Sequence, residues 1–183
     1  MADYFRFFII PNYAKDRKFY DLTLGNAGDD KILSSKIYAE SFRKRRCILP
    51  VSGYYEFKKT GEKKTDPKIP YVFYVKDEPM FGLAGIWDTW KDPASGEVLS
   101  CFAIITTEPN ELATQIHNRM PVILPREEYE RWLEPGEPDP NALRALLKPF
   151  PAARMARREF ARAVNSSKNK DEATLVAVGN DAG

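Results

Sequence analysis

Three polar side chains that stand far apart in this sequence are candidates for chemistry: Asn26, Glu56 and His117. His117 is the only histidine in 183 residues. Imidazole changes charge nearest neutral pH, so any general acid or base step that needs it must use this residue. Glu56 lies in the aromatic run G-Y-Y-E-F (Gly53–Phe57). A carboxylate at the wall of an apolar core is held above its ordinary pKa and can trade protons near pH 7. Both side chains also have plainer readings. Glu56 could point to water on an alternating strand, and His117 could cap a helix end on a backbone carbonyl.

A second group of residues could handle polyanions. Arg43, Arg45 and Arg46 flank Lys44 immediately after Phe42, and Tyr13, Trp87 and Trp90 lie elsewhere in the chain. Basic groups neutralise phosphates and aromatic faces stack unpaired bases, a combination that suits single-stranded nucleic acid. A short charge run is also an ordinary solvated surface.

Short strands and irregularly placed helices must position these residues. Strands are expected over Phe5–Ile10, from Cys47 to Phe57 with a break at Gly53, and over Tyr71–Lys76, Met80–Trp87, Leu99–Thr107 and Val122–Leu124. Helices are expected over Ser34–Phe42, capped by Ser34 or Ser35, and over Thr107–Ile116, capped by Thr107. Two more are expected over Arg126–Leu133 and Asn141–Leu147. Lys58–Lys68, with five lysines, a glycine and a proline, is a surface hairpin loop. The segment M-A-R-R-E-F-A-R-A-V-N after Pro149 fits either a helix or an edge strand. Together these elements give an α+β chain, one domain over 1–183 with a β-rich core and peripheral helices.

Composition narrows the function classes. Hydrophobic residues make up 43%, and 28 basic residues nearly balance 26 acidic ones. This is a globular chain whose polyanion binding, if any, is local. No stretch approaches the ~20 apolar residues of a membrane span, and the N-terminus lacks the features of a signal peptide. A cytoplasmic protein is expected, nucleoid-associated if bacterial. One histidine with the distant Cys47 and Cys101 cannot assemble four zinc ligands. Neither metal nor cofactor is expected, and a monomer is the simplest state. No G-x-S-x-G elbow accompanies His117.

Four stretches, taken together, resemble the SRAP family, the SOS response-associated peptidases. They are R-R-C-I-L-P-V-S-G-Y-Y-E-F (45–57), F-G-L-A-G-I-W-D-T-W (81–90), I-I-T-T-E-P-N-E-L (104–112) and I-H-N-R-M-P-V-I-L (116–124). I-I-P-N-Y-A-K-D (9–16) and A-V-N-S-S-K-N-K-D (163–171) extend the likeness. The resemblance implies a sensor of abasic sites in single-stranded DNA. In the family, the N-terminal cysteine exposed by self-removal of Met closes a thiazolidine on the sugar aldehyde. It implies His117 as the acid that opens the sugar ring and Glu56 as the carboxylate managing protons at the amine. Asn26 would be the amide holding that amine, and Arg119 a phosphate contact. Arg43, Arg45, Arg46, Phe7 and Tyr13 would line the DNA groove.

The sequence also departs from the family pattern. Residue 2 is Ala2, Gly28 stands where the family's N-A-R motif has arginine, and Phe7 and Tyr13 stand where its W-G-L-I-P-S-W stretch has tryptophans. Neither Cys47 nor Cys101 carries a free α-amine, so neither can close a thiazolidine. The expectation is a chain lacking the family's N-terminal segment and inactive in crosslinking as it stands. The alternatives are a non-catalytic single-strand-binding module on the same fold and a peptidase acting on other proteins.

Overall fold

The computed structural model describes residues 5–11, 13–16, 22–63, 65–165, 169, 177–179 and 181–183. Ala2, Asn12 and most of 163–171 lie outside these residues. In chain order the described strands are β1 (Phe5–Phe7), β2 (Asn26–Gly28), β3 (Arg46–Val51), β4 (Tyr54–Lys59), β5 (Lys68–Val75), β6 (Phe81–Lys91), β7 (Val98–Thr107), β8 (Met120–Pro121), β9 (Ile123–Leu124) and β10 (Met155–Glu159). The helices are α1 (Ala39–Lys44), α2 (Tyr129–Leu133) and α3 (Pro140–Arg144). The fold is α+β, with many short strands and few helical turns.

The contacts divide the chain into two compact units. The first comprises the chain up to Leu49, Gly82–Thr107 and Pro121–Lys148; the second comprises Pro50–Phe81, Glu108–Met120 and Pro149–Gly183.

In the first unit β7 is the central strand. Its alternate residues Leu99, Cys101, Ala103, Ile105 and Thr107 are buried, the period-2 pattern of a strand with one face on the core. The antiparallel partner β6 covers one edge, pairing Trp87 with Phe102 and Gly85 with Ile104. Two short parallel strands share the other edge end to end. β1 lies beside Ser100–Phe102, and β2 sets Asn26 beside Ile104. A Cβ at Gly85 would stand 2.5 Å from the Leu49 side chain and 2.9 Å from the Cys47 sulfur, so those side chains pack where a larger residue would displace them. The core gathers Ile32, Phe42, Ile86, Ile105, Leu124, Trp132 and Leu143. Ser35 opens the turn before α1 by accepting hydrogen bonds from the Ile37 and Tyr38 amides, each 3.2 Å.

In the second unit three antiparallel strands run in the order β10-β5-β4. The register sets Glu56 opposite Tyr71, and Tyr71 opposite Glu159. Tyr54 stacks on Phe73 with centroids 5.2 Å apart and the rings 9° from parallel. Gly53 breaks β3 from β4 where a Cβ would press to 3.0 Å against the Phe73 carbonyl. The segment after Pro149 is a strand followed by a 3-10 turn (Arg162–Asn165), which settles the helix-or-strand alternative.

One expected helix does not form. Residues 111–116 make successive turns rather than a regular helix, and Thr107 does not cap them. The Thr107 hydroxyl is bonded instead to Asp29 Oδ2 (3.0 Å) and the Leu147 carbonyl (3.3 Å). Asn110 caps the turn: its Oδ1 accepts from the amides of Leu112 (3.1 Å) and Ala113 (2.9 Å). The eleven residues between Pro109 and Pro121 leave little room for a helix to propagate.

Candidate functional site

Glu56 and His117 come together on the second unit. β4 carries Glu56, and the 111–116 turn delivers His117, whose backbone N–H donates to the Ala113 carbonyl at 3.0 Å. The imidazole Nδ1 lies 3.9 Å from Glu56 Oε2. The carboxylate is the more enclosed partner, with 21% of its side chain exposed against 43% for the histidine. Burial raises the Glu56 carboxyl above the ordinary glutamate range, opposed by the His117 charge and by a hydrogen bond from the Phe57 amide. Burial, with the Glu56 charge, pushes the Tyr54 phenol far up, and its buried hydroxyl has no hydrogen-bond partner among the described residues.

Nδ1 of His117 also meets the backbone of Arg119, 3.2 Å from its N–H and 3.3 Å from its carbonyl. When Nδ1 accepts from that N–H, the proton of the neutral ring sits on Nε2. The capping reading of this histidine is therefore met locally by residue 119, and the ring stands beside a carboxylate as well. A half-buried carboxyl beside a solvent-open imidazole places two proton-handling groups next to each other, where both could serve one bound substrate. Among the described residues no group of three or more His, Cys, Asp or Glu could hold a metal ion.

The other candidates divide by unit. Arg119 is half-buried on the second unit beside His117. Asn26, Phe7, Tyr13 and the three arginines are on the first. Asn26 is exposed on β2, and Tyr13 is 56% exposed. Arg43 is half-exposed in the last turn of α1. Arg45 is engaged by Asp88 Oδ2 (3.1 Å), Ser41 Oγ (3.3 Å) and Glu40 Oε1 (3.4 Å).

Arg46 departs furthest from its expected place at a DNA groove. It is 8% exposed, and its guanidinium donates to four backbone carbonyls, those of Trp132, Phe42, Arg43 and Glu134. It ties the end of α1 to the end of α2, leaving its donors committed inside the fold.

Sequence reasoning named Phe7 without its aromatic surroundings. Phe7 is 38% exposed and Phe5 45%. Phe7 packs on Phe102 (centroids 5.3 Å) and Phe5 meets Trp87 edge-on (5.9 Å). The register pairs Phe102 with both Phe7 and Trp87, so three strands carry a continuous aromatic row. The F-R-F alternation was its visible signal; the cross-strand partners depend on pairing.

The profile of the SOS response associated peptidase (SRAP) family matches residues 1–167. The chain belongs to the SRAP family. Among relatives of this SRAP chain, the abasic site processing protein YoqW of Bacillus subtilis is 37% identical over 164 residues, covering 90% of this chain and 71% of that protein. The abasic site processing protein HMCES of Gallus gallus is 30% identical, over 94% of this chain and 56% of its own length. A crystal structure of a Bacteroides thetaiotaomicron protein superposes with a TM-score of 0.79 at 36% identity, covering 95% of this SRAP chain and 76% of that one.

Proposed function

We propose that this SRAP protein recognises abasic sites in single-stranded DNA and that Glu56 and His117 move protons at the exposed sugar. The observation that carries the reading is their geometry: a half-buried carboxyl, raised by its surroundings, 3.9 Å from an open imidazole. An abasic sugar is mostly a closed hemiacetal. Opening it breaks the bond between the anomeric carbon and the ring oxygen. The anomeric O–H gives up a proton, and the ring oxygen takes one. His117 donates to the ring oxygen, and Glu56 takes up and returns the proton that the exchange displaces. Arg119 and Arg43 contact phosphate. Phe7 and Tyr13 stack neighbouring bases, supported by the aromatic row that includes Phe7.

The chain's own thiols are poor nucleophiles. Burial pushes Cys47 up to about 11 and Cys101 above its ordinary value. This disfavours a thiol peptidase acting on other proteins, and neither thiol carries the free amine a thiazolidine needs. The part assigned to the residues in hand is recognition of the lesion and exposure of its aldehyde.

The test measures aldehyde exposure directly. A single-stranded oligonucleotide with one abasic site is mixed with an excess of an alkoxyamine, and oxime formation is followed by mass spectrometry with and without protein. The protein is expected to accelerate trapping at the abasic site and to bind that oligonucleotide more tightly than its intact-base counterpart. Binding without acceleration would leave only a single-strand-binding module, and equal binding of both oligonucleotides would overturn the reading.

A further inference from the structure

We infer that Arg157 is a positioning residue: its guanidinium braces the 111–116 turn against the β10-β5-β4 sheet and so sets the approach of His117 to Glu56. The distance between those two side chains depends on two separate pieces of backbone. Glu56 is fixed by the sheet. His117 hangs from a turn with no regular helical ladder, held at its start by the Asn110 cap. Arg157 joins the two pieces. It lies on β10, opposite Phe73 in the ladder. One terminal nitrogen, Nη1, donates to the Leu112 carbonyl, and the other, Nη2, to Gln115 Oε1 at 2.7 Å. Gln115 is held in turn by its Nε2, which donates to the Glu111 carbonyl at 3.1 Å.

The sheet side of the brace is equally defined. The Arg157 guanidinium sits over the Tyr71 ring, 5.5 Å from its centroid. Tyr71 is the direct cross-strand partner of Glu56. Its hydroxyl donates to Glu159 Oε2 at 3.2 Å, which holds the ring at its phenolic end. One planar fork therefore touches the ring beside Glu56 and two residues of the turn that ends at His117. A lysine has a point charge in place of this planar fork, so it cannot reproduce both bonds and the stacking on Tyr71 in the same geometry. At 3.9 Å the His117–Glu56 pair is at the limit of an ion pair, so a displacement of ~1 Å separates it, and misplacement on that scale can cost a catalytic group ~100-fold in rate.

The relevance of this brace to reaction rests on the abasic-site reading; the brace itself does not, and the test is chosen to keep them apart. The Glu56 δ-carbon is followed by NMR through a pH titration, its resonance assigned by loss in Glu56→Gln. Tyr54, His117 and the Phe57 amide are the groups around that carboxyl. The effect of His117→Gln on the Glu56 midpoint is measured in the parent and then in Arg157→Met, Arg157→Lys and Gln115→Ala backgrounds. In the parent, loss of the imidazole is expected to move the midpoint upward. In the three backgrounds the same substitution is expected to move it less than half as far, with thermal midpoints showing that each variant is folded. Gln115→Ala removes one partner at an exposed position and decides the matter if Arg157→Met does not fold. An undiminished His117 effect in folded Arg157→Met or Gln115→Ala protein would overturn the assignment. A diminished His117 effect in those backgrounds, with a parent that fails to accelerate aldehyde trapping, would uphold the brace and refute the functional reading alone.

Discussion

Replacing Arg46 with methionine separates a structural cation from a DNA contact. The Nε–H donates to the Trp132 carbonyl at 2.8 Å and Nη1 to the Phe42 carbonyl at 3.2 Å, with Arg43 and Glu134 supplying the other two acceptors. Phe42 and Arg43 belong to the last turn of α1, whose carbonyls have no intrahelical partner. At roughly 1.5–3 kcal/mol for each bond to a charged group, four would sum to ~6–12 kcal/mol. That sum is an upper bound, because burial of the guanidinium has its own cost, seen in its lowered pKa, and bonds sharing one donor group do not add. Breaking a buried charged network by removing one partner costs ~3–5 kcal/mol. For a chain of this length each kcal/mol shifts the thermal midpoint by ~2–4 °C, so Arg46→Met should melt ~6–20 °C below the parent. Arg43→Met, at a half-exposed position, should cost less than ~1 kcal/mol. Circular dichroism melts measure both, and fluorescence anisotropy on a single-stranded oligonucleotide measures binding. An Arg46→Met protein melting within ~1 °C of the parent but binding DNA no better than Arg43→Met would refute the structural role.

Glu56→Gln should stabilise the fold at neutral pH. A carboxyl raised in the folded state favours folding when protonated and loses that contribution as pH rises through its folded titration, so the melting advantage of the glutamine variant should grow between about pH 4 and pH 7. A constant or shrinking advantage across that range would contradict the burial argument. Cys47 should alkylate slowly in the native protein: a thiol raised from 9.0 to about 11 has ~100-fold less thiolate near pH 7.5. Iodoacetamide labelling read by peptide mass spectrometry, native against unfolded, checks this, and native labelling as fast as unfolded would contradict it. Trp132→Ala should cost ~3–5 kcal/mol, since it empties a fully buried site against Phe42 and removes the 2.9 Å bond from Nε1 to the Cys47 carbonyl. A denaturant midpoint close to the parent's would show that this site repacks.

Much of the fold was legible because period and punctuation agreed. β7 reads as a strand from its alternation of buried Leu99, Cys101, Ala103 and Ile105, and the Lys58–Lys68 loop reads from its glycine, proline and charge. The Thr107–Ile116 helix was misread because threonine before E-P-N-E imitates a helix start. The same threonine finds better partners in Asp29 and Leu147, and Asn110 offers the cap three residues later. Glu56 and His117 were legible as candidates from residue type and motif. Their 3.9 Å approach was not, because it depends on strand register and on how the Asn110-capped turn is held against the sheet, 61 positions along the chain. Arg46 was misplaced because nothing in R-K-R-R distinguishes the guanidinium that turns inward. That choice is made by carbonyls up to 88 residues away.

The central claim is that Glu56 and His117 act as one proton-handling unit at the abasic sugar. Alkoxyamine-trapping rates for the parent, Glu56→Gln, His117→Gln and the double variant, at saturating protein and equal bound DNA, test it most directly. Each single substitution should remove most of the acceleration, and the double variant should be no slower than the slower single. Independent effects that multiply in the double variant, or single variants that trap as fast as the parent, would contradict it.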